Sequence, residues 1–221
     1  MTNYYPAFLT VKDRKCVIVG GGSVAQRKAK SLLDCGARVT VISPQVSPSL
    51  QRMIEAGKAV HLKREYQLGD SRGAFLLIAA TDDRELNRQI GQEARKDGAL
   101  VNVVDDPEYC DFIAPSIMRR GDITFAISTA GRSPALARRI REQLQHQFPK
   151  EYAQLATLLS EVREELKRNG EKVSPRRWQL AIDSALLQLL KEGRKKEAKV
   201  RLMSSLRNGK RFKRNGGSGV W

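Results

Sequence analysis

One segment, residues 16–44, constrains the fold more than any other part of the chain. Its apolar run Cys16–Gly20 predicts a buried strand, and the amphipathic pattern of Val24–Cys35 predicts a helix. The alternating pattern of Arg38–Ser43 predicts a second strand. A strand, a helix and a strand with short connections form a right-handed unit with two parallel strands. The segment therefore predicts an α/β fold with a parallel sheet.

The turn between the first strand and the helix matches the pattern G-x-G-x-x-G/A. Gly20 permits a tight turn, Gly22 lets a phosphate approach the backbone, and the small Ala25 lets the helix pack on the strand. The backbone amides of Ser23 and Val24 open the helix, where they can bind an anion. The pattern favours nucleotide binding, and a purely structural turn is the alternative.

The second strand ends in Ser43 and Pro44, where a dinucleotide-binding unit usually has an acidic residue for the ribose hydroxyls. The Ser43 hydroxyl can make a weaker hydrogen bond to a ribose, and it can equally tolerate a 2′-phosphate. No arginine stands directly beside Ser43 to bind such a phosphate. The missing acid weakens a prediction of NAD binding without excluding it.

Helix and strand patterns continue to alternate beyond this segment. They predict helices over Pro48–Ala56 and Arg84–Lys96, and strands over Ala59–Glu65, Ala74–Thr81 and Leu100–Asp105. This order predicts a parallel sheet with helices on both faces, in a first domain of residues 1–112.

The pattern changes after the parallel sheet. Ile113–Met118 and Asp122–Thr129 predict two strands of a β-hairpin. Ser133 and Pro134 then predict a helix start, with a capping hydroxyl followed by a proline in the first turn. We assign this hairpin and helix to residues 113–148.

Helical patterns fill most of the remaining chain. They cover Tyr152–Arg168, then Arg176–Lys191, and continue towards Leu206. We assign residues 149–214 to a basic helical domain and residues 215–221 to a flexible tail.

The basic charge of the C-terminal helical region indicates a negatively charged partner. The chain has a net charge of +16, and residues 150–214 contain 18 Lys and Arg against 8 Asp and Glu. Such a surface suits nucleic acid, anionic lipid or a polyanionic small molecule. Aromatic residues hardly interleave with the basic ones, and no apolar run is long enough to span a membrane. We therefore expect neither a nucleic-acid nor a membrane partner.

The positions of the cysteines and histidines argue against a disulfide framework and against a metal site. Cys16, Cys35 and Cys110 are scattered, which favours reduced thiols in buried positions over a disulfide framework. His61 and His146 lie far apart, so no metal site is expected. The first residues lack the profile of a secretory signal, which predicts a cytoplasmic protein.

Candidate site residues follow two of the predicted strands. Thr81 follows the third apolar strand, and Asn102, Val104 and Asp105 end the next one. Open α/β sheets bind ligands at this edge, so we expect Thr81, Asn102 and Val104 to contact a cofactor. Asp105 is the catalytic candidate, because a carboxylate there can orient an N–H group or accept a proton. In the alternative interpretation, Thr81 or, in preference, Asp82 caps the following helix, and Asp105 is only an N-cap or turn residue ahead of Pro107.

The loop after the hairpin is the candidate substrate site. It contains Ser128, Thr129, Arg132 and Ser133, and Arg138 follows on the next helix. Hydroxyls and arginines at a helix N-terminus suit carboxylate binding. A capping loop and a solvated helix face are the alternatives.

In three segments the chain resembles the siroheme synthase family, and more narrowly its precorrin-2 dehydrogenase and sirohydrochlorin ferrochelatase module. The segments read VIVGGGSVAQRKAKSLLDCGARVTVISP, AATDD and VNVVDDPEYCDFIAPSIMRRGDITFAISTAGRSPALARRIRE, in this order. The resemblance covers roughly residues 5–150. No methyltransferase domain, which some members carry, is expected in this chain.

The resemblance implies a Rossmann-like first domain, a hairpin region that forms a homodimer, and a helical end that helps enclose a tetrapyrrole. The implied activity is the NAD-dependent oxidation of precorrin-2 to sirohydrochlorin. Members that also insert iron take ferrous ion as a further substrate. Precorrin-2 is a polyanion, which agrees with the basic surface expected from composition. A non-catalytic NAD-sensing regulatory module is the alternative, although its second strand should end in an acid.

The resemblance also implies roles for individual residues. Gly22, with the two residues that follow it, falls on the pyrophosphate turn, and the Ser-Pro end of the second strand falls on the ribose side. Family members accept this Ser-Pro end and still use NAD. Asp105 corresponds to the aspartate of the NVVD motif, which is implicated in catalysis. Thr129 stands where some members have a second serine.

Overall fold

The computed structural model describes residues 4–208 and confirms the predicted α/β class. Five parallel strands form the first sheet: β1 (Lys15–Val19), β2 (Arg38–Ile42), β3 (Ala59–Leu62), β4 (Leu76–Ala79) and β5 (Leu100–Val103). Their spatial order is β3-β2-β1-β4-β5. The chain therefore moves outward on one side of β1 and then returns to build the other side. Such a reversal creates a ligand-binding crevice at the carboxyl ends of the central strands.

Three helices cover this sheet: α1 (Ser23–Leu33), α2 (Pro48–Glu55) and α3 (Arg84–Lys96). Side chains along β1 alternate between two apolar clusters, as the pleat of a strand requires. Cys16 and Ile18 pack with α1 and α2, whereas Val17 and Val19 pack with α3. Burial on both faces explains why the strands are continuously apolar in the sequence.

The hairpin consists of β6 (Ser116–Arg120) and β7 (Ile123–Ile127), which pair antiparallel as predicted. Helix α4 (Pro134–Gln147) follows. The Ser133 hydroxyl caps it by accepting a hydrogen bond from the Leu136 amide at 3.2 Å. The predicted helix start is therefore confirmed.

Four helices complete the described chain: α5 (Glu151–Arg168), α6 (Pro175–Ala181), α7 (Ser184–Lys191) and α8 (Lys195–Asn208). Buried leucines such as Leu158, Leu186 and Leu202 form their common core. The prediction of one helical run from Arg176 to Leu206 is wrong.

Two local features break that run. Asp183 caps α7, because its carboxylate accepts a hydrogen bond from the Leu186 amide at 2.8 Å. Gly193, with a φ of +73°, ends α7 in the left-handed conformation that glycine tolerates. Since apolar spacing continues across both breaks, the periodicity alone did not reveal them.

The described residues divide into two compact units, one built from residues 4–114 with 130–132, the other from 115–129 with 133–208. The predicted domain limits stay predictions, and the predicted tail of residues 215–221 lies outside the described residues. In the described part, no helix combines the length and apolar character needed to cross a membrane. Cys16 is buried as expected, whereas Cys35 is exposed because it lies beyond the last turn of α1.

Candidate functional site

The glycine turn after β1 is shaped by close backbone contacts. Gly20 has a φ of +118°, and a Cβ there would overlap the carbonyl oxygen of Ala80 after β4. A Cβ on Gly21 would overlap the carbonyl oxygen of Gln45 after β2. Gly22 differs, because nothing lies within 4 Å of the position that its Cβ would take. The turn therefore presses against the neighbouring strand ends and leaves open space at Gly22.

This open space lies at the N-terminus of α1. Gly22 is the cap residue of α1, and within the described residues no side-chain cap accepts a hydrogen bond from the first amides of this helix. Helices α2 and α3 are capped by the side chains of Ser47 and Asp83. The first turn of α1 also contains no acidic residue. Open amide donors beside an unfilled cradle fit the pyrophosphate of a dinucleotide.

The end of β2 forms a hydrogen-bonded turn on the predicted ribose side. The buried Ser43 hydroxyl donates to the Gln45 carbonyl oxygen at 2.6 Å, and His61 Nε2 lies 2.9 Å from the Ser43 carbonyl oxygen. Pro44 is exposed. Because the Ser43 hydrogen is used inside the turn, its oxygen can contribute to a ribose only as an acceptor.

The end of β4 is held by a side-chain network. Thr81 donates its hydroxyl hydrogen to Asn87 Oδ1 at 2.7 Å, and Asn87 Nδ2 donates to the Thr81 carbonyl oxygen at 2.9 Å. The predicted cap of α3 at Asp82 is wrong. Asp83 directly precedes the helix, and its carboxylate accepts a hydrogen bond from the Leu86 amide at 3.0 Å.

Asn102 and Val104 connect β5 to its surroundings. The buried Asn102 side chain donates to the Phe112 carbonyl oxygen at 2.9 Å. The Val104 amide donates to the Ala79 carbonyl oxygen at 3.0 Å. These bonds hold the end of β5 beside the end of β4, so the candidate residues on both strands lie at one sheet edge.

The two neighbouring aspartates after β5 have different environments. Asp105 is exposed, has a left-handed backbone with a φ of +59°, and its side chain pairs with no other part of residues 4–208. Asp106 is only 3% exposed and accepts hydrogen bonds from Arg88 at 2.6 Å and Arg84 at 3.2 Å. The Arg88 hydrogen bond, followed by that of Arg84, lowers the pKa of Asp106 below its usual range. Asp106 is a structural anion, whereas Asp105 is available for chemistry.

Sequence reasoning missed the arginines that hold Asp106. Arg84 and Arg88 are four residues apart on α3 and therefore share one helix face. That spacing was the available signal. It did not show which of the acidic residues the pair would bind.

We expect the protein to lose stability in acid, because protonation of Asp106 breaks its ion pairs with Arg84 and Arg88. The pKa of Asp106 is lower in the folded chain than in the unfolded chain. The pairs therefore stabilise the fold above about pH 4, and this stability is lost as the pH falls through the folded pKa. Replacing Asp106 by Asn should lower the free energy of unfolding at neutral pH and flatten its decrease in acid. Urea unfolding at a series of pH values measures both effects.

Asp82→Asn is the matched control, because it removes an exposed carboxylate that makes no ion pair in the part of the chain that the structure describes. It should retain the wild-type dependence on pH. An Asp106→Asn variant with the wild-type acid profile would contradict the assignment.

The predicted substrate residues lie in the segment that precedes α4 and on α4 itself. Thr129 Oγ1 donates to the Ser133 carbonyl oxygen and accepts from the Ser133 amide, both at 3.1 Å. Ser128 and Arg132 are exposed, and Arg138 donates to a glutamate one turn further along α4 at 2.9 Å. Arg132 is grouped with the first compact unit and the other four with the second. The capping interpretation is therefore correct for Ser133, and two exposed side chains remain at the loop surface.

Two family models match this chain. Residues 7–116 match a model described as "Putative NAD(P)-binding", and residues 120–147 match one described as "Sirohaem biosynthesis protein central". The second match supports the predicted resemblance to the siroheme synthase family. The first match agrees with the glycine turn and confirms the predicted nicotinamide-dinucleotide domain.

Curated siroheme synthases are similar along most of this chain. The protein from Photobacterium profundum is 39% identical over 204 residues, and that from Pseudomonas aeruginosa (strain LESB58) is 39% identical over 209 residues. The alignments cover 91% and 94% of this chain, but 44% and 45% of those relatives. The chain thus spans less than half the length of these siroheme synthases.

A solved structure described as "SirC, precorrin-2 dehydrogenase" has the same architecture. The similarity covers 91% of this chain and 100% of that one, with a TM-score of 0.73 and 28% sequence identity. It confirms the predicted fold, with a Rossmann-like sheet, a hairpin and a helical end.

Proposed function

We propose that this chain belongs to the siroheme synthase family and catalyses the NAD-dependent oxidation of precorrin-2 to sirohydrochlorin. One observation carries the proposal. Asp105 is an exposed carboxylate with no hydrogen-bond or ion-pair partner in residues 4–208, at the sheet edge where the glycine turn leaves open amides for a dinucleotide. The similarity to a precorrin-2 dehydrogenase structure over that protein's whole length supports it.

In this proposal, the glycine turn and the strand ends hold NAD, which accepts a hydride when bound. Gly20 and Gly22 admit the pyrophosphate, and the amides of Ser23 and Val24 bind it. Ser43 and Pro44 form the ribose side, with the Ser43 oxygen as an acceptor. On the adjacent strand ends, Thr81 and Val104 contact the nicotinamide half, and Asn102 supports them from inside the fold.

Asp105 is the proposed proton acceptor. Oxidation of precorrin-2 to sirohydrochlorin removes a hydride and a proton from the macrocycle. The Asp105 carboxylate accepts a hydrogen bond from a ring N–H and takes that proton as the hydride leaves. Its exposure then allows the proton to pass to water.

The loop before α4 is the proposed binding site for the substrate carboxylates. Ser128, Thr129 and Ser133 supply hydroxyls at a formed helix start, and Arg132 and Arg138 supply positive charge. A guanidinium binds a carboxylate through two parallel hydrogen bonds, which suits the acetate and propionate groups of precorrin-2.

We also propose that the hairpin forms a homodimer. Met118 is buried, whereas Ile117 beside it is exposed and pairs across the strands with the exposed Ala126. Helices α4 and α5 pack against the hairpin, and a second copy would cover the apolar side chains that stay exposed on it. Ile117→Glu should convert the dimer to a monomer in sedimentation experiments. A monomeric wild-type chain, or an unchanged dimer in Ile117→Glu, would contradict this assembly.

A direct assay tests the activity. The purified chain is incubated with precorrin-2 and NAD, and the visible spectrum and the formation of NADH are recorded. We expect sirohydrochlorin and NADH in equal amounts. Binding of NAD without oxidation of precorrin-2 would instead support a regulatory module. Addition of ferrous ion after the first reaction tests whether the chain also takes iron as a substrate.

A further inference from the structure

Lys28 lies in the second turn of α1 and belongs to none of the predicted site residues. Its neighbours Ala25 and Ala29 are buried in the same apolar cluster that Val104 packs against. This packing places α1 alongside the chain that leads to Asp105. Because helical side chains tilt towards the N-terminus of their helix, the Lys28 side chain is directed towards the edge with the glycine turn.

Lys28 is a half-buried cation. Its ammonium group forms no hydrogen bond or ion pair with any residue between 4 and 208. The charged and titratable groups that act on it are Arg27 on its own helix, and Asp105 and Cys110 after β5. Burial, followed by repulsion from Arg27, lowers the pKa of Lys28.

Such a cation is unfavourable for folding, since it loses water and gains no direct hydrogen bond or ion pair within the described residues. Other half-buried cations in the first unit have direct partners: Lys15 donates to the Arg72 carbonyl oxygen at 2.7 Å, and two arginines bind carboxylates. Arg64 binds Asp70 at 2.7 Å, and Arg88 binds Asp106 at 2.6 Å. Lys28 lacks an equivalent carboxylate within the described chain, so the missing anion is one that a ligand can supply.

We infer that Lys28 binds a carboxylate of the tetrapyrrole substrate beside Asp105. The inference rests on the proposed function, because precorrin-2 carries acetate and propionate groups around its ring. Asp105 accepts from a ring N–H, and Lys28 donates to a carboxylate at the periphery. Two contacts of opposite charge fix the rotation of the macrocycle in its plane, so Lys28 orients the ring for hydride transfer and selects for a carboxylated ring.

Titration with sirohydrochlorin, followed by its visible absorbance, measures this contact without turnover. Lys28→Met keeps most of the side-chain length and removes the charge, so it should weaken binding about 10-fold or more. Lys28→Arg keeps the charge and should retain most of the affinity. Lys30→Met is the matched control, because Lys30 is an exposed lysine of the same helix that pairs with Asp34 at 3.0 Å. It should bind sirohydrochlorin like the wild type.

Thermal unfolding separates binding from folding. Removing a half-buried, unpaired charge should leave the Tm of Lys28→Met unchanged or raise it. Weaker sirohydrochlorin binding with a wild-type Tm and wild-type NAD affinity supports the inference. The inference is overturned if Lys28→Met binds sirohydrochlorin like the wild type, whether or not its NAD affinity falls.

A chain without the proposed dehydrogenase activity would give a different set of results. In that case the wild-type chain binds sirohydrochlorin but does not oxidise precorrin-2 with NAD, and the effect of Lys28→Met on binding still decides the role of Lys28. A wild-type chain that binds no sirohydrochlorin overturns the inference directly.

Discussion

Replacing Asp105 by Asn should lower kcat for precorrin-2 oxidation by about 100-fold or more, the usual contribution of a general base. Asparagine has the same shape and tolerates the left-handed backbone at φ +59°, but its amide cannot take up the proton. The Asp105 side chain makes no hydrogen bond or ion pair within the described residues, so the fold does not depend on it. NAD affinity and Tm should therefore stay at wild-type values while NADH formation is lost.

Asp13 provides a close control for this substitution. It is also an exposed aspartate with a left-handed backbone, at φ +60°, but it precedes β1 and so lies at the opposite edge of the sheet. Asp13→Asn should keep the wild-type kcat. Asp105→Ala should lose activity as well, with about 1 kcal/mol less stability because alanine is disfavoured at positive φ. Wild-type turnover in Asp105→Asn would show that Asp105 is not the proton acceptor.

Replacing Gly22 by Asp should weaken NAD binding about 100-fold, because like charges placed in contact cost several kcal/mol. The same change should not destabilise the free protein. Nothing lies within 4 Å of the new Cβ, and the backbone of Gly22 is extended, with a φ of −75°. Aspartate is also a good helix cap, which should stabilise the fold by a few tenths of a kcal/mol, on the order of its advantage over glycine. Calorimetric titration with NAD and thermal unfolding measure the two opposite effects.

Gly22→Asn separates charge from occupancy of the amides. Asparagine caps the helix as well as aspartate does but carries no charge, so its NAD affinity should lie between those of Gly22→Asp and the wild type. Equal NAD affinities for Gly22→Asp and the wild type would show that the pyrophosphate does not bind at this turn.

Features that depend on neighbours in the sequence were predictable. Strand burial, the glycine turn, the hairpin and the Ser133 cap each depend on a few consecutive residues. The resemblance to a known family extended this reading to the activity and to Asp105. The family models and the precorrin-2 dehydrogenase structure agree with it, whereas the roles of individual residues await the experiments above.

The acidic residues show where such reasoning stopped. Asp82 and Asp83 differ by one position, and the exact start of α3 decides that Asp83 is the cap. Asp105 and Asp106 are also adjacent, and both end the same strand. Arg88 and Arg84, 18 and 22 residues before Asp106, bind the Asp106 carboxylate and do not bind Asp105.

The sequence by itself determined the alternation of strands and helices, the position of the glycine turn and the basic character of the helical end, because short-range patterns and composition decide these features. Only the tertiary structure decided which strand ends meet, which aspartate is neutralised and where α1 places Lys28. These depend on contacts between residues far apart in the chain, and a burial pattern shows that a residue has a partner without showing which one. The candidate site is formed by such contacts.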